Sequence, residues 1–110
     1  NVAEGMLVCR EETFGPVTSL YVFDELEQAM RQANDTEYGL SFSIFTRDIE
    51  TALRLARPAN AGMVHINRAT IQDEPHVPFG GRGISGFGRE GTQFDLDIMT
   101  EWKWITIASP

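Results

Sequence analysis

The sequence predicts an α/β fold whose strands run parallel in a βαβαβ order, and three observations predict it. Segments rich in β-branched or aromatic residues begin at Val17, Leu40 and Met63, spaced 23 residues apart. A helical pattern fills each of the two gaps. Units of that period are the size of right-handed strand–helix–strand crossovers, which place successive strands parallel.

Each element has its own local cause. Val17–Phe23 (VTSLYVF) follows the Gly15-Pro16 turn and reads as the first strand. Asp24 reads as a helix N-cap, with Glu27 three residues on in a capping-box-like start. Leu26, Ala29, Met30 and Ala33 then share one helical face, and Asn34, Asp35 and Gly39 mark its end. Leu40–Phe45 (LSFSIF) is the second strand and Asp48 the second N-cap. Ile49, Ala52, Leu53 and Ala56 repeat the helical face until Pro58, whose ring clashes with a preceding helical turn. Gly62–Asn67 (GMVHIN) is the third strand.

Order is lost after Asn67. Residues 68–93 hold six glycines and two prolines with no clear period. An irregular stretch of that length inside a compact domain is usually functional. Trp102–Ala108 (WKWITIA) is again β-rich. As a lone late strand it would be an edge with unpaired backbone groups, so it is expected to pair with another chain or with another part of this protein.

Composition narrows the function classes. At 110 residues, 42% hydrophobic and 23% charged, the chain is an ordinary globular domain rather than a disordered or fibrous one. No stretch approaches the roughly 18 to 20 apolar residues of a membrane span, and no secretory leader is visible. The net charge is -7, and it is unevenly placed: residues 1–50 carry ten acids and three bases, the rest six of each. Phosphate-backbone binders need clustered cations, so nucleic acid is not an expected partner. The lone Cys9 has no internal disulfide partner, which points to a reducing, cytoplasmic setting.

Four groups are candidates for chemistry. Gly81-Arg82-Gly83-Ile84-Ser85-Gly86 matches G-x-G-x-x-G, but Pro78-Phe79 precedes it where a dinucleotide fingerprint needs a strand. A tight glycine-dependent turn is the expected outcome. Asp73, Glu74 and His76 are too few to hold a metal, and His65, in a strand, is expected to pack in the core. Cys9 stands beside Arg10 with no helix start near it, so a small buried hydrophobe is expected there rather than a nucleophile. Glu11-Glu12-Thr13-Phe14-Gly15-Pro16-Val17 is more specific. A carboxylate beside a rigid turn can accept two hydrogen bonds from a vicinal diol such as a ribose. An aromatic two residues on projects to the same side if the segment is extended, and can then pack on a flat ring.

That segment looks like the E-E-x-F-G-P-V motif of the NAD(P)-dependent aldehyde dehydrogenase superfamily. Asn34-Asp35-Thr36-Glu37-Tyr38-Gly39-Leu40, Gly62 to Asn67, and Pro78-Phe79-Gly80-Gly81 followed by Ser85-Gly86-Phe87-Gly88-Arg89-Glu90 resemble further blocks of it, in the same order. The resemblance spans nearly the whole chain and is to the C-terminal portion of much longer proteins. It implies that residues 1–100 are part of a three-layer catalytic domain, and that residues 101–110 form an oligomerisation strand. It also implies oxidation of an aldehyde to an acid with NAD or NADP: a cysteine thiolate attacks the carbonyl, hydride passes to the nicotinamide, and a glutamate-activated water cleaves the thioester. Neither that cysteine nor that glutamate matches a position here, so the segment alone is expected to be inactive.

By the same resemblance Glu12 binds the nicotinamide ribose, Phe14 contacts the nicotinamide side, and Phe79 lines the aldehyde tunnel with Thr70 and Ile71. Asp73-Glu74-Pro75-His76 and the Trp102-Lys103-Trp104-Ile105-Thr106-Ile107 tail look like the benzaldehyde, salicylaldehyde and vanillin dehydrogenase subgroup. Arg68-Ala69 departs from the small or polar pair expected there. Succinate semialdehyde or another aliphatic aldehyde is the alternative substrate. A non-enzymatic module that associates through its last strand is the alternative of a different class.

Overall fold

A computed structural model describes residues 2–3 and 5–110, in two compact units, residues 1–36 and 37–110.

The first unit holds two helices. Helix α1 is the single turn Leu7–Arg10, closed where the Glu11 N–H donates to Leu7 O at 2.7 Å. The chain then turns tightly twice: Gly15 N–H donates to Thr13 O at 3.0 Å and Val17 N–H to Gly15 O at 2.8 Å. Such i→i+2 bonds define γ-turns centred on Phe14 and Pro16. Helix α2 spans Leu26–Asn34, one face of which half-buries Leu26, Ala29 and Met30, while Ala33 is exposed.

Two expectations are corrected here. The N-cap of α2 is Glu25, not Asp24, because Glu25 O accepts the first helical bond, from Ala29 N at 3.1 Å. Val17–Phe23 forms no strand, and Leu20 and Val22 stand exposed. Its composition suits a pleated surface, but a strand exists only where a neighbour supplies the ladder. Among the described residues no segment pairs with it.

The second unit contains the sheet. Strands β1 (Ser41–Ile44) and β2 (Met63–Ile66) pair in parallel, with Ser41 opposite Met63 and Ile44 opposite Ile66. Helix α3 (Ile49–Ala56) makes the crossover between them, giving one complete βαβ unit. The fold is therefore α/β with a parallel sheet, as the 23-residue spacing predicts. The predicted capping holds: the Asp48 carboxylate accepts from Glu50 N at 3.0 Å and from the Thr51 hydroxyl. The Thr51 hydroxyl and N–H above all, then Glu50 N–H and Arg54, hold the Asp48 carboxyl below its ordinary range. The buried core gathers around Ile44, Ala52 and Ala59. Ala52 is the one buried residue of α3, while Ile49 and Leu53 on the same predicted face remain exposed.

The stretch after β2 is irregular, as expected, but not structureless. Gly83–Ser85 is a 3₁₀ turn, and Phe79 and Glu90 form an antiparallel bridge. Helix α4 (Thr92–Met99) was not expected. It starts at Gly91, whose N–H donates to the Asp95 carboxylate at 3.2 Å, while the Thr92 hydroxyl donates to Pro75 O at 3.0 Å. Trp102–Ala108 forms no strand within this chain; Trp102, Trp104, Ile105 and Ile107 are exposed along it and no ladder partner lies beside it among the described residues. No described helix is long and apolar enough to cross a membrane.

Candidate functional site

The expected site residues fall into two groups, one in each unit. In the first unit Glu12 follows α1 at a distance of two residues and Phe14 sits at the apex of the first γ-turn. Both are exposed, Phe14 almost entirely at 96%. The segment is anchored just upstream. Arg10, the last residue of α1, donates to the Asp35 carboxylate at 3.0 Å and to Asp35 O at 3.1 Å. Asp35 is the C-cap of α2, where orphan carbonyls and the helix dipole favour a cation. Sequence spacing did not reveal this clamp, because its partners are 25 residues apart.

Cys9 is half-buried nearby, its thiol donating to Ala3 O at 3.2 Å and lying 4.0 Å from the Ser19 hydroxyl. It borders a recess of 470 Å³ with Ser19, Tyr21, Phe23 and Gln32, which none of the expected site residues line.

In the second unit Phe79 is half-buried and held by its backbone. Its N–H donates to Glu90 O at 3.0 Å, and its carbonyl accepts from Glu90 N at 2.8 Å. The glycines after it serve close approach rather than phosphate binding. Gly39 O accepts from both Gly62 N at 2.9 Å and Arg82 N at 3.0 Å, so the Gly81–Gly86 stretch lies against the entrance to β1. Ser85 Oγ accepts from Gly39 N at 3.0 Å, and Ile84 N donates to Glu37 O at 3.1 Å. At Gly83 φ is 59°, and a Cβ there would run into Glu37 O. The turn is thus a strand-end brace, as its lack of a preceding strand implies.

Thr70 and Ile71 are exposed, Ile71 at 93%. Two side chains that sequence reasoning missed fix the stretch leading to them. Asn67 adopts a left-handed φ of 57°; its Oδ1 accepts from Thr46 N and its Nδ2 donates to Thr46 O, both at 2.9 Å. The Ser41 hydroxyl donates to Thr70 O at 2.9 Å. His65, expected in the core, is half-buried in β2 opposite Ser43. The Nε2 of His65 and the Oγ of Ser43 are buried without a hydrogen-bond partner among the described residues. No group of three or more His, Cys, Asp or Glu side chains gathers among the described residues.

Known proteins share both the sequence and this geometry. The family model described as "Aldehyde dehydrogenase family" matches residues 1–105. The chain belongs to the aldehyde dehydrogenase family. Within it, the chain is 47% identical over 108 residues to a benzaldehyde dehydrogenase [NAD(+)] of Pseudomonas putida, covering 97% of this chain and 22% of that protein. Its backbone superposes on a salicylaldehyde dehydrogenase from Pseudomonas putida G7, solved with salicylaldehyde, with a TM-score of 0.89 and 43% identity over 98% of this chain and 22% of that one. A succinate-semialdehyde dehydrogenase from Burkholderia pseudomallei matches with a TM-score of 0.79 and 43% identity over 87% of this chain and 20% of that one. The chain therefore spans about a fifth of the length of the aldehyde dehydrogenases it matches.

Proposed function

We propose that the full-length protein carrying this segment oxidises an aldehyde, aromatic by preference, to its carboxylic acid with NAD or NADP as hydride acceptor. One observation carries this reading: Glu12 and Phe14 stand two residues apart, both exposed, at the entry to a turn braced by two successive i→i+2 hydrogen bonds. A carboxylate and an aromatic ring offered together in that way suit the ribose and the ring at the nicotinamide end of such a coenzyme. Glu12 would accept from the ribose hydroxyls and Phe14 would pack on the nicotinamide side. The coenzyme supplies the hydride acceptor when bound. Phe79, Thr70 and Ile71 form part of the aldehyde tunnel, where their apolar surface excludes water from the reacting carbonyl. The nucleophilic cysteine and the glutamate base belong to the protein outside this chain. Residues 1–100 contribute to the catalytic domain. In the oligomer, Trp102–Ala108 becomes a strand by pairing with another copy, which satisfies its free backbone groups. The cytoplasm is the compartment that fits the lone Cys9.

The aromatic preference rests on the Asp73-Glu74-Pro75-His76 stretch, the Trp102–Ile107 tail and the 47% identity to a benzaldehyde dehydrogenase. A substrate panel on the full-length protein tests it. Benzaldehyde and salicylaldehyde are expected to exceed succinate semialdehyde in kcat/KM by at least about tenfold, within the range that pocket shape alone supplies. The reverse order would establish the aliphatic alternative. The isolated 110-residue segment is expected to reduce no NAD or NADP with any of them; turnover by the pure segment would place a nucleophile within it.

A further inference from the structure

We propose that Ser41 is a positioning residue for the aldehyde-facing wall, acting through the carbonyl of Thr70. The inference rests on the placement of Thr70 and Ile71 in the aldehyde tunnel.

The argument starts from the path of the chain. Strand β2 ends at Ile66, and the next N–H, of Asn67, still donates to Ile44 O at 2.8 Å, at the far end of β1. Asn67 then turns the backbone with its left-handed φ and grips Thr46 through both atoms of its amide. Three residues later Thr70 O is held by Ser41, the first residue of β1. The stretch from Asn67 to Thr70 thus returns from one end of β1 to the other. The return is short and bent, three residues from one bonded end to the other.

A short segment held at both ends has few conformations, and releasing one end frees the other residues to reorient. The Asn67 end is secured by three hydrogen bonds. The Thr70 end is secured by the Ser41 hydroxyl. Ile71 makes little contact of its own, being exposed within this segment, so its position is set by the residue before it. Loss of the hydroxyl therefore alters where Ile71 stands while leaving β1 and β2 paired through their backbones.

Steady-state kinetics on the full-length protein test this with Ser41→Val, Ser41→Thr and Ile71→Ala. Thr and Val have the same shape, but only Thr keeps the hydroxyl donor. Ser41→Val is expected to raise the KM for benzaldehyde about three- to tenfold, the scale of one lost hydrogen bond, with the KM for the coenzyme unchanged. Ser41→Thr is expected to restore the aldehyde KM. Ile71→Ala tests the placement of the wall independently. If Ile71→Ala shifts the aldehyde KM and Ser41→Val does not, the tether is overturned while the wall stands. If Ile71→Ala leaves the aldehyde KM unchanged, both fall. Equal changes in Ser41→Val and Ser41→Thr, or a parallel rise in the coenzyme KM, would mark Ser41 as a general packing residue and overturn the proposal.

Discussion

Glu12→Gln in the full-length protein is expected to lower kcat/KM for the coenzyme by roughly ten- to a hundredfold. Glutamine keeps the shape of glutamate but replaces one acceptor oxygen with a donor and removes the charge. A hydrogen bond to a charged group contributes about 1.5–3 kcal/mol, which is the size of that loss. Stability should barely change, because Glu12 is exposed and exposed substitutions usually lie within about 0.5 kcal/mol. The two measurements together separate a binding role from a folding role. Kinetics equal to wild type would remove the ribose contact from the proposed function. A fallen melting temperature with proportionate loss of all activity would assign Glu12 a structural part instead.

Gly62→Ala is expected to destabilise the protein by about 3 kcal/mol or more, at the upper end of what overpacking costs. A methyl group at Gly62 would run into the carbonyl of Gly80 and stand 3.0 Å from the Cα of Gly81. All of these are backbone atoms, so no side chain can swing aside. Gly62 cannot retreat either, since its N–H is bonded to Gly39 O and β2 begins at the next residue. The segment that must give way is Gly80-Gly81, and Phe79 moves with it. A raised aldehyde KM is therefore expected alongside the lower melting temperature. Gly5→Ala is the control, because nothing lies within 4 Å of a Cβ there. Equal melting temperatures for the two variants would show that the contact between Gly62 and Gly80 is not as close as described.

The parts of this fold that were legible in the sequence are those with local causes. The β1–α3–β2 unit follows from a 3.6-residue apolar spacing, a capping aspartate at Asp48 and a proline after the helix. Helix α4 was hidden because Phe94, Leu96 and Ile98 alternate in the manner of a strand, and nothing about Gly91 marks it as a cap in sequence. Helix α1 is one turn long and has too few residues to carry a period. Val17–Phe23 and Trp102–Ala108 have strand composition, yet pairing is a property of two segments, and neither has its second one among the described residues.

The site divides along the same line. As candidates, an acid and an aromatic two positions apart before a Gly-Pro turn can be argued from chemistry, whereas Phe79, Thr70 and Ile71 are nominated only by the resemblance. The supports were not legible at all. Ser41 and Thr70 are 29 residues apart, and Asn67 and Thr46 are 21 apart; no spacing rule joins such partners before the chain has folded.

The bare tail has a practical corollary for anyone handling this segment by itself. Trp102–Ala108 combines high β-propensity with a single charge, at Lys103, and no proline. Ribbons of that kind zip onto one another indiscriminately and seed insoluble deposits. A dimer or precipitate formed by the excised piece would consequently report stickiness rather than native assembly. A lysine or glutamate installed at an outward position of that ribbon, acting as a gatekeeper, is the rational remedy.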